Sequence, residues 1–233
     1  MFKPALILCL LLASYVARAA DPVTDAMQKA YEPYRVALFK TNSNSQVEAQ
    51  QAITQAQQEW NQIAAQFGAK PAAPYDRDAD FSKSVAEVSK VYATAAEQIT
   101  RNELKEAHET LENARDILAD LRHRNNVIVY SDHMNAYHAQ MERALSDGKA
   151  LEDQRGMREL TAQAGALEFL AARLQTMAPD AYAKKEEFNA MFKAVEKSVA
   201  DLKAALSTND ATKVKQALSK MKPPYAKMFL KFG

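Results

Sequence analysis

Apolar residues recur every three or four positions along most of the chain, the period of helices that bury one face. Met27, Tyr31, Tyr34 and Leu38 fall at i, i+4, i+7 and i+11 and predict a first helix. After Thr41-Asn42-Ser43-Asn44, the run Ser45-Gln46-Val47-Glu48 has capping-box spacing and opens a second. Its stripe includes Ala52, Ala56, Trp60, Ile63 and Phe67. The segment from Gly68 to Pro74 is broken by glycine and proline. A third helix carries Phe81, Val85, Val88, Tyr92, Ala95 and Ile99. A short turn at Asn102 leads to a fourth, with Leu104, Ala107, Leu111, Ala114, Leu118 and Leu121.

The same plan then repeats. Shifted by 107 residues, the chain aligns with itself without a gap: Met27 meets Met134, Ala37-Leu38 meet Ala144-Leu145, and Tyr75 meets Tyr182. Phe81 meets Phe188, Val88 meets Val195, and Leu111 meets Leu218. Elsewhere the chemistry holds while the residue changes, as in Trp60/Leu167, Phe67/Leu174 and Ile99/Leu206. Strand signals are nearly absent, since Val127-Ile128-Val129-Tyr130 is short and stands alone. Short connections make successive helices antiparallel. The expected fold is therefore all-α: two tandem up-down-up-down four-helix bundles, over 20–126 and 127–233, each closing around its own core.

Residues 1–19 read as a signal peptide. Lys3 supplies a positive start, Ala5 to Val16 an apolar run, and Ala17-Arg18-Ala19 a small-x-small cleavage site. The expected location is the bacterial periplasm, with no membrane span after cleavage. The single cysteine, Cys9, would leave with the leader, so the mature chain offers no disulfide, thiolate ligand or thiol nucleophile.

The unit length, the export signal, a methionine near the start of each copy (Met27, Met134) and the wording Glu103-Leu104-Lys105-Glu106-Ala107 resemble the periplasmic four-helix-bundle cytochromes, b-type and c-prime-like. Resemblance to the b-type implies haem held between an early methionine and a late histidine, here Met27 and His123. On an ideal helix, however, His123 lies about 200° from the core residue Leu121 and points outward. The second copy has Leu230 at the equivalent position. The c-prime type needs a Cys-x-x-Cys-His attachment, which the mature chain lacks. The residues favour the fold of this resemblance and not its haem.

Of 233 residues, 48% are hydrophobic and 25% charged, with a formal charge of +1 and only 5 glycines. That balance fits a folded helical protein and offers no broad basic face for nucleic acid. No His-Glu-x-x-His helix, Gly-rich phosphate loop or nucleophile elbow occurs, and a non-enzymatic role is expected.

Candidate chemistry concentrates in Ser131-Asp132-His133-Met134-Asn135-Ala136-Tyr137-His138-Ala139-Gln140-Met141. With Asp132 as cap, Met134, His138 and Met141 share one side of a helix. One imidazole between two thioethers suits Cu(I) more than a hard cation. Antiparallel packing brings the ends that carry Met177 and Met228 to the start of this helix, adding two further ligands. Seven of the nine methionines lie in the second copy. The competing reading is plain core packing, since methionine fills irregular interior space without any cofactor. His108 and His133 read as surface or capping residues.

Three readings follow: a periplasmic protein binding a soft metal such as copper, a cofactor-free envelope module that docks on another protein, or, as the resemblance implies, non-covalent haem binding by the first copy. The second draws on the C-terminus, where Pro223 and Pro224 must end or kink the last helix and an aromatic tail follows. That tail is expected to fold back over the second bundle or to contact an envelope partner.

Overall fold

The computed structural model describes residues 21–149, 151 and 153–233; the leader expected at 1–19 lies outside the described residues. All regular structure among them is helical, and no strand occurs. The first half comprises α1 (Pro22–Asn42), α2 (Gln46–Phe67), α3 (Phe81–Thr100) and α4 (Leu104–Arg124). The second comprises α5 (Tyr130–Lys149), α6 (Gln154–Thr176), the single turn α7 (Asp180–Ala183), α8 (Glu186–Ser207), α9 (Ala211–Ser219) and α10 (Lys222–Phe232). Val127 to Val129 form an irregular connector instead of a strand, and Tyr130 begins α5.

Local chemistry sets these boundaries. Asp21, Asp153 and Asp210 cap α1, α6 and α9, each carboxylate accepting a backbone N–H of the first turn at 2.8–3.2 Å. The Ser45/Glu48 pair does not form the reciprocal backbone box its spacing predicts. Ser45 Oγ donates straight to Glu48 Oε2 at 2.7 Å, and Lys40 holds the other carboxylate oxygen at 2.5 Å. Turns after α1, α3, α4 and α8 each place an asparagine at positive φ: Asn44, Asn102, Asn126 and Asn209. Asparagine tolerates that left-handed conformation better than most residues.

Helix α1 packs on α2 and α4, α2 on α3, and α3 on α4; α5 packs on α6, α6 on α8, and α8 on α9 and α10, which in turn meet α5. Positions 107 residues apart occupy like places. Met27 and Met134, Ala37 and Ala144, Phe81 and Phe188, Val88 and Val195, and Leu111 and Leu218 are all buried. Asn102 and Asn209 match in their φ, at 58° and 54°.

The halves diverge at the last helix. Where α4 runs unbroken, its counterpart splits into α9 and α10, with Pro223 in the opening turn of α10, where a missing N–H costs least. The tail folds back. Tyr225, Met228, Phe229 and Phe232 are buried against the rest of the chain, so the rings expected to meet an envelope partner pack internally.

The two cores are joined, although each was expected to close on itself. Buried apolar residues form one cluster through both halves. Rings carry the connection: Tyr92 stacks on Tyr34 (5.9 Å), Tyr34 meets Tyr31 (4.9 Å), Tyr31 meets Phe229 edge-on (6.4 Å), and Phe229 stacks on Tyr225 (5.9 Å). Offset and edge-on pairs at these separations are the favoured arrangements for aromatic quadrupoles. Arg35 Nη1 adds a buried hydrogen bond to the Phe229 carbonyl at 3.2 Å.

Candidate functional site

Helix α5 turns Tyr130, Met134, Tyr137, Met141, Ala144 and Gly148 to the interior. Tyr137, and not His138, therefore completes the core stripe between the two methionines. His138 stands on the flank, facing the first half, with 16% of its side chain exposed. Its ring lies 5.3 Å from that of Tyr225 and within 14° of parallel.

Both imidazole nitrogens have neighbours. Arg115 Nη1, on α4, is 3.0 Å from His138 Nδ1. A guanidinium can only donate, so Nδ1 accepts and the proton of a neutral ring resides on Nε2. Nε2 faces Glu142 Oε1, one turn along α5, at 3.5 Å. Lys222 of α10 reaches the same carboxylate oxygen at 2.8 Å. The facing His138 imidazole, reinforced by Lys222 against the opposing effect of burial, lowers the Glu142 pKa to about 2.

Arg115 links the two halves. Beyond His138, it approaches Glu112 Oε1 (3.5 Å) and donates from Nε to Asp116 Oδ1 (3.2 Å), with only 14% of its side chain exposed. Burial works against its charge; the nearby Tyr34, Glu112 and Asp116 outweigh that effect and hold the guanidinium above its usual range. Its Nη2 has no hydrogen-bond partner among the described residues. One turn before Glu112, His108 engages the Leu38 carbonyl through Nδ1 at 3.0 Å and turns Nε2 toward Glu112 at 3.7 Å. Two histidines on two helices thus each face a glutamate four residues on.

Between these groups opens a cleft of about 500 Å³, with walls from α1, α4, α5 and α10. Its apolar surface comes from Leu38, Phe39, Met141, Tyr225 and Phe229; its charged rim holds Lys105, Arg115 and Lys222 against Glu109, Glu112 and Glu142.

Met134, Met141 and Met228 are fully buried, whereas Met177, at the end of α6, is 48% exposed. The Tyr225 hydroxyl donates to the Met134 carbonyl (3.1 Å), tying α10 to α5, and Met141 shares the cleft with His138. The end of α6 does reach the start of α5, where Tyr130 donates to the Leu174 carbonyl at 2.9 Å. Met27 is buried in the first half; His123 is largely exposed, its Nε2 4.0 Å from Asp132. Among the described residues, no group of three or more His, Cys, Asp or Glu side chains is arranged to hold a metal ion. Arg115, Glu112, Lys222 and Glu142 were not singled out from the sequence. Two signals pointed to them: the repeated His-x-x-x-Glu spacing at 108/112 and 138/142, and the coincidence of Arg115 with Lys222 under the 107-residue shift.

No family model, curated protein or solved structure matches the chain.

Proposed function

We propose that the chain is a non-enzymatic, cofactor-free binding protein of the bacterial periplasm, a duplicated four-helix module whose ligand site is the cleft between its halves. The observation that carries this reading is the engagement of His138 by Arg115 and Glu142 at the wall of that cleft. An imidazole whose lone pair accepts from a guanidinium is poorly placed to ligate a cation. Glu142, with a pKa of about 2, is too weak a base for proton abstraction at neutral pH. Duplication is supported by the matched buried positions and by Asn102 and Asn209; export is supported by the leader pattern at 1–19.

A thermal-shift screen of small metabolites on the purified chain and on Ala226→Trp tests the site, since Ala226 lines the cleft. A compound that binds only the folded state raises the midpoint. Hits that vanish in Ala226→Trp support the cleft; hits that persist unchanged place binding elsewhere and contradict this reading.

A second reading, a soft metal such as copper in the second half, is favoured by the shared presence of His138 and Met141 in the cleft. It requires Arg115 to release Nδ1. Titration with Cu(I) against a competing chelator should then show tighter binding in Arg115→Ala and a loss in His138→Ala with Met134→Ala. Affinity unchanged in that double variant sinks the copper site.

A further inference from the structure

The cleft has a chemical bias that narrows what it can hold. Its rim carries three cations and three carboxylates, so a ligand of either net charge meets repulsion as well as attraction there. Each cation has a carboxylate beside it, but the contacts differ in closeness. On α4, the contacts of Glu112 among the described residues are long, 3.5 Å to Arg115 and 3.7 Å to His108, and Glu109 is held loosely by Lys105 at 3.7 Å. One turn further along the same helix, Arg115 presents the unpartnered Nη2, and Lys222 approaches from α10. Glu112, whose carboxylate lacks a close partner, thus sits one helical turn from the guanidinium of Arg115, while Lys222 enters the rim from α10 already held by Glu142 at 2.8 Å. Beside them, Tyr225 and Phe229 stack at 5.9 Å and supply an aromatic wall with Leu38. A cleft of about 500 Å³ is within the size range of small-molecule sites.

We infer that the cleft binds a zwitterion with an apolar side chain, namely a free α-amino acid such as phenylalanine or leucine. Its ammonium lies toward Glu109 and Glu112, its carboxylate toward Arg115 and Lys222, and its side chain against Tyr225 and Phe229. Arg115 suits the carboxylate through the charge-assisted N–H donors of its Nη2, while Nη1 and Nε are held by His138 and Asp116. The balanced rim explains the preference for a ligand with no net charge: both ligand charges gain partners and neither adds to an existing excess. This assignment rests on the cleft being the ligand site.

Calorimetric titration of the purified full chain tests it with four probes that share one side chain. These are L-phenylalanine, N-acetyl-L-phenylalanine (anion), L-phenylalaninamide (cation) and N-acetyl-L-phenylalaninamide (neutral). The zwitterion should bind, and each modified probe should bind at least about tenfold more weakly, as should the zwitterion to Arg115→Gln or Glu112→Gln. Lys222→Gln, at an exposed position, should weaken binding without affecting the fold. Comparable binding of the acetylated anion overturns the zwitterion assignment but leaves the cleft as a site. Failure of all four probes also overturns it; the cleft is then judged separately by whether metabolite hits disappear in Ala226→Trp. Equal binding of phenylalanine to wild type and Ala226→Trp overturns both.

Discussion

The Arg122 guanidinium and the Asp132 carboxylate form a two-point ion pair across the connector between the halves, with 4% and 5% of their side chains exposed. Arg122 closes α4 and Asp132 lies in the first turn of α5, where it also accepts the Val129 N–H at 2.9 Å. A buried pair gains little over well-packed apolar residues, but removing one partner strands a charge. Asp132→Asn should therefore cost about 3–5 kcal/mol in urea unfolding. Arg122→Met combined with Asp132→Leu should recover most of that loss. Equal losses in the single and double variants contradict this account of the junction.

Two core tyrosines should respond oppositely to loss of their hydroxyls. Tyr34 donates to the Leu111 carbonyl at 3.0 Å, whereas the buried Tyr92 hydroxyl has no hydrogen-bond partner among the described residues. Tyr34→Phe should cost about 1 kcal/mol, since it removes a buried hydrogen bond to a carbonyl that keeps its helical partner. Tyr92→Phe should be neutral or stabilising by chemical denaturation, because the unpaired hydroxyl already bears its desolvation cost.

Acid should weaken the wall of the cleft at Glu142. Its pKa is about 2 in the folded chain against an ordinary 4.5, so its contribution is present above the ordinary value and lost as pH falls toward 2. With 40% of the side chain exposed, solvent screening limits that contribution to about 1 kcal/mol. Glu142→Gln should flatten the stability profile between these two pH values while leaving its shape above them unchanged. An identical acid limb in wild type and variant contradicts the assignment.

Glycines in the second half should also separate by local space. A Cβ on Gly148 would lie 2.1 Å from Leu218 Cδ1, in a core where Leu218 is itself buried, whereas one on Gly165 meets nothing within 4 Å. Gly148→Ala should lower stability by about 1–3 kcal/mol through overpacking. Gly165→Ala, on the exposed face of α6, should raise it by about 0.5–1 kcal/mol through helix propensity. The thermal midpoints of both variants check this.

The helices were legible because their stripes are long and regular; Phe81 to Ile99 and Leu104 to Leu121 appear as buried faces of α3 and α4. The phase of α5 was not. Met134-His138-Met141 and Met134-Tyr137-Met141 satisfy helical spacing equally, and only the packing of α5 selects Tyr137 for the interior. The first half hides the same ambiguity: Ala30 occupies the core step beside Tyr31, which turns toward Phe229. Periodicity along one helix also says nothing of contacts such as Arg35 with the Phe229 carbonyl, 194 residues apart. Those contacts create the cleft, so the fold was far more readable than the site. The prolines at 223 and 224 correctly marked a break, but not that a new helix would start there and bring Lys222 to Glu142.

Metal analysis and an absorption spectrum of the protein isolated from its own cell envelope distinguish a cofactor-free cleft from a metal or haem site. A cofactor-free cleft gives copper far below one atom per chain, no Soret band, and no change in either on substituting His138. Copper at one atom per chain that is lost in His138→Ala contradicts it, as does a haem spectrum that disappears in Met27→Ala.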